Sequence, residues 1–118
     1  MENNIETGNL DIVNANHPER RGWVLGNFVE ESKLRNSDRC EVKWNRFPKG
    51  TKKSSIVDPN KKERTMTILI SGKWHVKFKS GEEFTLSKSG DYIIYETMTH
   101  EAEALEASVM LTVRWKEI

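Results

Sequence analysis

From Cys40 onward, apolar side chains recur at every second position in short runs, and turn residues close the runs. Cys40, Val42 and Trp44 alternate with Glu41, Lys43 and Asn45, and Trp74, Val76 and Phe78 alternate with His75, Lys77 and Lys79. Val109, Leu111, Val113 and Trp115 keep the same period near the end of the chain. A period of two sends successive side chains to opposite faces of an extended strand, whereas a helix needs a period of 3.6. Thr65 to Ile70 is a β-branched run that Ser71-Gly72 stops, Phe84 and Leu86 form a short strand, and Tyr92 to Tyr95 follows Ser89-Gly90-Asp91. Phe47-Pro48-Lys49-Gly50, Asp58-Pro59-Asn60 and Ser80-Gly81 are turn sequences. Short strands at this spacing predict an antiparallel sandwich or barrel.

The first third of the chain carries weaker signals. Residues 1–16 are polar, with Ile5, Leu10, Ile12 and Val13 as the only anchors, and are expected to form a flexible N-terminal segment. Residues 17–118 then form one domain, as expected for a chain of 118 residues. The block His17-Pro18-Glu19-Arg20-Arg21-Gly22-Trp23 gathers rigid, charged and aromatic groups. Trp23 to Val29 reads as a strand, and Glu30 to Lys33 as a short helical turn.

Charge excludes several functions. Nineteen basic against eighteen acidic residues leave a net charge of +1, too little field to hold a nucleic-acid polymer or an anionic membrane. The lysines at 49, 52, 53, 61 and 62 have no aromatic among them and read as a solvated loop. The single cysteine, Cys40, rules out an internal disulfide or a paired-cysteine metal site. With no membrane-length apolar segment and no leader pattern, a cytoplasmic location is expected.

The order of glycine turns and strands from Val42 to Trp115 resembles the cupin family. Gly50 and Gly72 are similar to the glycines bounding the first cupin motif, and Gly90 to Tyr95 followed by His100 resembles the second. The block around Trp23 also resembles the lead-in of small stand-alone cupins. The resemblance implies an all-β, single-domain jelly-roll barrel with an internal pocket, paired into a homodimer. It also implies a metal held by three histidines and a glutamate. Here Thr65 stands at the glutamate position and Asp58-Pro59-Asn60-Lys61 spans the first two histidine positions, while Glu96 and Met98 replace a proline and a glycine. The metal motif is therefore degenerate, no metal is assigned, and the residues name no cofactor.

The expected function is binding of a small-molecule ligand inside the barrel. His100, Glu96, Thr65 and Thr67 are its candidate contacts, with Trp44 as a candidate flat wall. Arg20, Arg21 and Trp23, joined by Arg64 and Arg114 where these face inward, offer donors for an anionic metabolite or nucleotide to be sequestered or sensed. The alternative is a metal-dependent dioxygenase, isomerase or lyase on a small acid or sugar, with His100, Glu96, Asp58 or Glu63 as substitute ligands. Trp23, Val24, Leu25 and Val109 to Trp115 are the expected dimer surface.

Overall fold

The period-two runs fold into seven antiparallel strands in a computed structural model that describes residues 4–58 and 60–117. The strands are β1 (Trp23–Leu25), β2 (Cys40–Phe47), β3 (Lys52–Ser55), β4 (Glu63–Phe78), β5 (Glu83–Leu86), β6 (Tyr92–Glu96) and β7 (His100–Lys116). Pro59 of the expected turn, and the first three residues and the last residue of the two expected segments, lie outside the described residues.

Two long strands organise the barrel. The first half of β4 pairs with β6 and the second half with β5, while β7 pairs with β3 near its start and β2 near its end. β4 and β7 pair along their whole length. They thus belong to two sheets at once, β1-β2-β7-β4-β6 and β3-β7-β4-β5, which enclose one interior.

Ser71-Gly72 does not end a strand. β4 runs through it, and the register against β7 shifts between Leu69 and Trp74. The shift reverses parity. Glu63, Thr65, Thr67 and Leu69 face inward before it, and Trp74, Val76 and Phe78 after it. An inserted residue does this because side chains alternate faces with a period of two. Gly72 has φ +104°, and a Cβ there would lie 2.3 Å from the Ala107 carbonyl oxygen. The buried Ser108 hydroxyl fixes the bulge, accepting from the Lys73 N–H at 3.1 Å and lying 2.8 Å from the Glu106 carbonyl, to which it donates.

The apolar core is Leu69, Trp74, Val76, Phe78, Leu86, Ala102, Ala104 and Met110, with Phe47, Ile93, Tyr95 and Met98 packed against it. It fills only part of the interior. On β2 the apolar series faces outward instead: Val42 pairs with Val113 and Trp44 with Leu111, while Lys43 lines the interior. Met66 and Ile68 of β4 and Ile94 and Tyr92 of β6 continue these two rows across four strands.

The N-terminal residues add a helix that no apolar stripe announces. Asn9 caps α1 (Leu10–Asn16), its side chain accepting from the Asp11 and Ile12 N–H groups. Asp11 accepts from the Trp44 indole at 3.0 Å, and Asn14 donates to the Trp44 carbonyl at 2.7 Å. β1 is shorter than the expected strand, and residues 30–33 form no helix. Val24 is 2% exposed and Trp23 lines the interior, so neither offers outer surface for a partner.

Candidate functional site

The rest of the interior is a cavity of about 500 Å³, within the range of small-molecule sites. Its lining divides by chemistry. Phe47, Trp74, Val76, Ile93, Ala102 and Met110 supply an apolar wall, and Thr65, Thr67, Thr112 and Tyr95 supply hydroxyls. The remaining charge is unbalanced: Arg21, Lys43, Lys53, Lys61 and Arg114 face two carboxylates, Glu63 and Asp58.

A strained turn brings the N-terminal pair into the cavity. Arg21 adopts left-handed geometry (φ 55°) and Gly22 follows at φ +98°. The Gly22 carbonyl accepts from the Trp44 N–H at 2.9 Å, anchoring the turn to β2. Gly22 is buried, and a Cβ on it would meet the Asn45 side chain at 2.0 Å. Arg21 and Trp23 on either side then reach the lining. Non-glycine residues in the left-handed region cost of order 1–3 kcal/mol and concentrate at functional sites.

Trp23 carries two cations. The Arg114 guanidinium lies 4.3 Å and the Lys43 ammonium 4.9 Å from its ring centroid, and Lys53 sits 4.8 Å over Phe47. Arg114 also donates to Glu41 at 2.7 Å and lies 3.5 Å from Glu63. Among the described residues, Arg21, Lys43 and Lys53 have no such carboxylate partner. Burial, reinforced by Lys53, Arg114 and Arg21, brings the Lys43 amine down to about 8 from 10.5. Burial likewise lowers Lys53, with Arg21 adding to it. Cation–π attraction favours the charged amine by only about 0.5–2 kcal/mol, so desolvation and like charge win at Lys43.

A second network crosses the wall. His100 Nδ1 lies 2.9 Å from the Met98 carbonyl, which can only accept, so in neutral His100 this nitrogen carries the proton. Nε2 then accepts from the Tyr95 hydroxyl at 3.3 Å. Burial raises the Tyr95 phenol, against hydrogen bonds from Thr65 and Thr67 that lower it.

Of the residues singled out in the sequence, Arg21, Trp23, Asp58, Glu63, Thr65, Thr67, Arg114 and His100 meet in this cavity. The others lie elsewhere, each held by a partner. Glu96 and Arg64 are cross-strand neighbours on the outer face, 2.9 Å apart. Arg20 makes two hydrogen bonds to Glu31, at 2.8 and 2.7 Å. Trp44 packs outside, bonded to α1. Lys43 goes unread in the sequence because its strand's apolar series suggests the opposite face as core. The solvated-loop reading of the lysines is corrected at Lys53, which lies on β3, and at Lys61, since both line the cavity. The available signal was the run of inward polar groups Glu63, Thr65, Thr67, Thr112 and Arg114, which marks a barrel with a polar interior.

The cupin metal does not fit this wall. Both ring nitrogens of His100 are engaged, hydroxyls occupy the neighbouring positions, and among the described residues no three His, Cys, Asp or Glu side chains gather as a metal site. No helix among the described residues is long and apolar enough to cross a membrane.

Two sheets sharing their long strands around one internal cavity define a jelly-roll barrel. Comparison with solved structures identifies it as the cupin fold. KdgF from Halomonas sp. superposes with a TM-score of 0.58 at 19% identity, over 70% of this chain and 73% of that one. A cupin superfamily protein from Desulfitobacterium hafniense gives 0.55 at 15%, over 70% and 72%. An ectoine synthase from P. lautus gives 0.52 at 15%, over 69% and 56%. No family model matches the sequence, and no curated protein matches it.

Proposed function

We propose that this cupin-fold protein binds a small anionic molecule, a carboxylate or phosphate, inside the barrel. The observation that carries this reading is the group Arg21, Lys43 and Lys53, which face one cavity without carboxylate partners among the described residues. Lys43 and Lys53 are half-buried, where an unpaired charge is costly, and a bound anion supplies the pairing. Trp23 and the apolar wall receive the ligand's uncharged part, while Thr65, Thr67 and Thr112 give it hydrogen-bonding neighbours.

Thermal denaturation at fixed ionic strength, with a panel of short carboxylates, inorganic phosphate, sugar phosphates and neutral sugars, tests the reading. A ligand that binds only the folded state raises its stability in a saturable way. At least one anion should do so, and Lys43→Met should weaken it about tenfold, the loss of one charged contact. No stabilisation by any anion in the panel would overturn the proposal.

We also propose a homodimer formed through the outer face of β2, β7, β4 and β6. Its support is the apolar double row Val42–Val113–Met66–Ile94 and Trp44–Leu111–Ile68–Tyr92, in which Tyr92 and Ile94 remain 59% and 49% exposed. Contiguous apolar patches of this kind mark contact surfaces.

A further inference from the structure

We propose that Lys43 is a nucleophile that forms a reversible imine with a short 2-oxo acid held in the barrel. This rests on the anion-binding reading, since the acid's carboxylate is what the other cations hold. Lys43 projects into a cavity large enough for a small substrate, from a strand pinned on both sides by β1 and β7. Its amine and the Arg114 guanidinium approach the same indole ring, at 4.9 and 4.3 Å from its centroid. Lys43 pairs with Thr112, and Arg114 follows two positions along β7 on the same inward face, so a carbonyl at Lys43 has a guanidinium nearby for an adjacent carboxylate, as in a 2-oxo acid. Desolvation beside like charge is the environment that turns lysine into an amine nucleophile near neutral pH.

The chemistry balances within the cavity. The lone pair of the neutral Nζ attacks the carbonyl carbon, forming a C–N bond, and the carbonyl electron pair moves to oxygen, which takes a proton. The nitrogen loses a proton to give a neutral carbinolamine. A proton then reaches the carbinolamine hydroxyl, the C–O bond breaks, water leaves, and the nitrogen lone pair closes the C=N bond to give an iminium, which returns the proton to give the imine. Glu63 and Tyr95 line the same cavity and can carry these protons. The charged groups acting on Lys43 are Lys53, Arg114 and Arg21. Glu63, Tyr95 and His100 face the same space from β4, β6 and β7, and Asp58 and Lys61 face it from the loop between β3 and β4.

The test is reductive trapping. The full-length protein is incubated with pyruvate and cyanoborohydride, which reduces an imine to a stable amine, and the adduct is located by peptide mass mapping. One adduct per chain at Lys43 is expected, with yield rising as pH passes through about 8. It should be lost in Lys43→Arg and suppressed by propionate, which has the carboxylate without the carbonyl. Absence of adduct, or labelling spread over lysines and undiminished in Lys43→Arg, would overturn the imine. Circular dichroism establishes that Lys43→Arg is folded; if it is not, the peptide map of the wild-type adduct decides, since an adduct on any lysine other than Lys43 overturns the proposal. Saturable protection by propionate or phosphate without any adduct would sink the imine while leaving anion binding intact. An adduct at Lys43 that neither anion suppresses would remove the carboxylate site on which the 2-oxo acid assignment depends.

Discussion

Lys43 costs the fold free energy that a solvent-exposed lysine would not. Its amine lies at about 8 in the folded protein against 10.5 for an ordinary lysine, so between these values the unfolded chain binds more protons. Stability therefore rises with pH across that window, and the full cost is present below it. Lys43→Met removes the charge and keeps most of the volume. It should stabilise the ligand-free protein at neutral pH by about 1–2 kcal/mol, discounted from the full shift because water still reaches the amine. Denaturant titration measures this, and the gain should vanish at pH values above 10.5, where the wild-type amine is neutral in both states. A destabilised variant at neutral pH would contradict the account. Binding of anions without a carbonyl follows the opposite course, weakening as pH rises through about 8 and Lys43 loses its proton.

Two glycine positions shape the strands that build the cavity. At Gly72 a side chain would meet backbone, at 2.3 Å from the Ala107 carbonyl, and the bulge cannot relax without disturbing the whole β4–β7 ladder. Gly72→Ala is expected to cost about 2–4 kcal/mol, read from denaturant titration. At Gly22 the obstacle is the Asn45 side chain, which can swing away, so the backbone conformation is the main cost. Gly22→Ala should cost about 1–2 kcal/mol, less than the bulge substitution, yet weaken anion binding because it displaces Arg21 and Trp23. Equal stability losses at the two positions would show that the bulge is not under this constraint. The strands themselves were legible in their alternation, but the bulge was not. Ser71-Gly72 looks like a strand end, and only pairing with β7 shows that the chain continues with its faces exchanged. Helix α1 was equally silent, since its contacts are polar bonds from Asp11 and Asn14 to Trp44, which lies far away in sequence.

The barrel has a charged interior and an apolar outer face across β2, β7, β4 and β6. That inversion explains how far the site could be read beforehand. An antiparallel sandwich or barrel followed from strand spacing and glycine turns, the resemblance to cupins implied a jelly roll with an internal pocket, and His100, Thr65, Thr67, Arg21 and Trp23 fell in that pocket. Lys43 and Lys53 did not stand out, because alternation shows that a strand has two faces without showing which one is enclosed. Across β2 and β7 the apolar series is the outer one. Leu111→Glu and Ile68→Glu, on cross-strand partners, should each convert a sedimenting dimer to a monomer while leaving the circular dichroism spectrum and anion binding unchanged. A wild-type protein that is monomeric at micromolar concentration would contradict the dimer. The charge in the cavity can be observed at Lys43 itself, by following the ¹³Cε resonances of labelled lysines against pH, with Lys43 assigned through Lys43→Arg. The expected midpoint is near 8 in the free protein, rising when propionate or inorganic phosphate is added. A midpoint near 10.5 that neither anion moves would mean that Lys43 is an ordinary solvated lysine and that the barrel has no anion site.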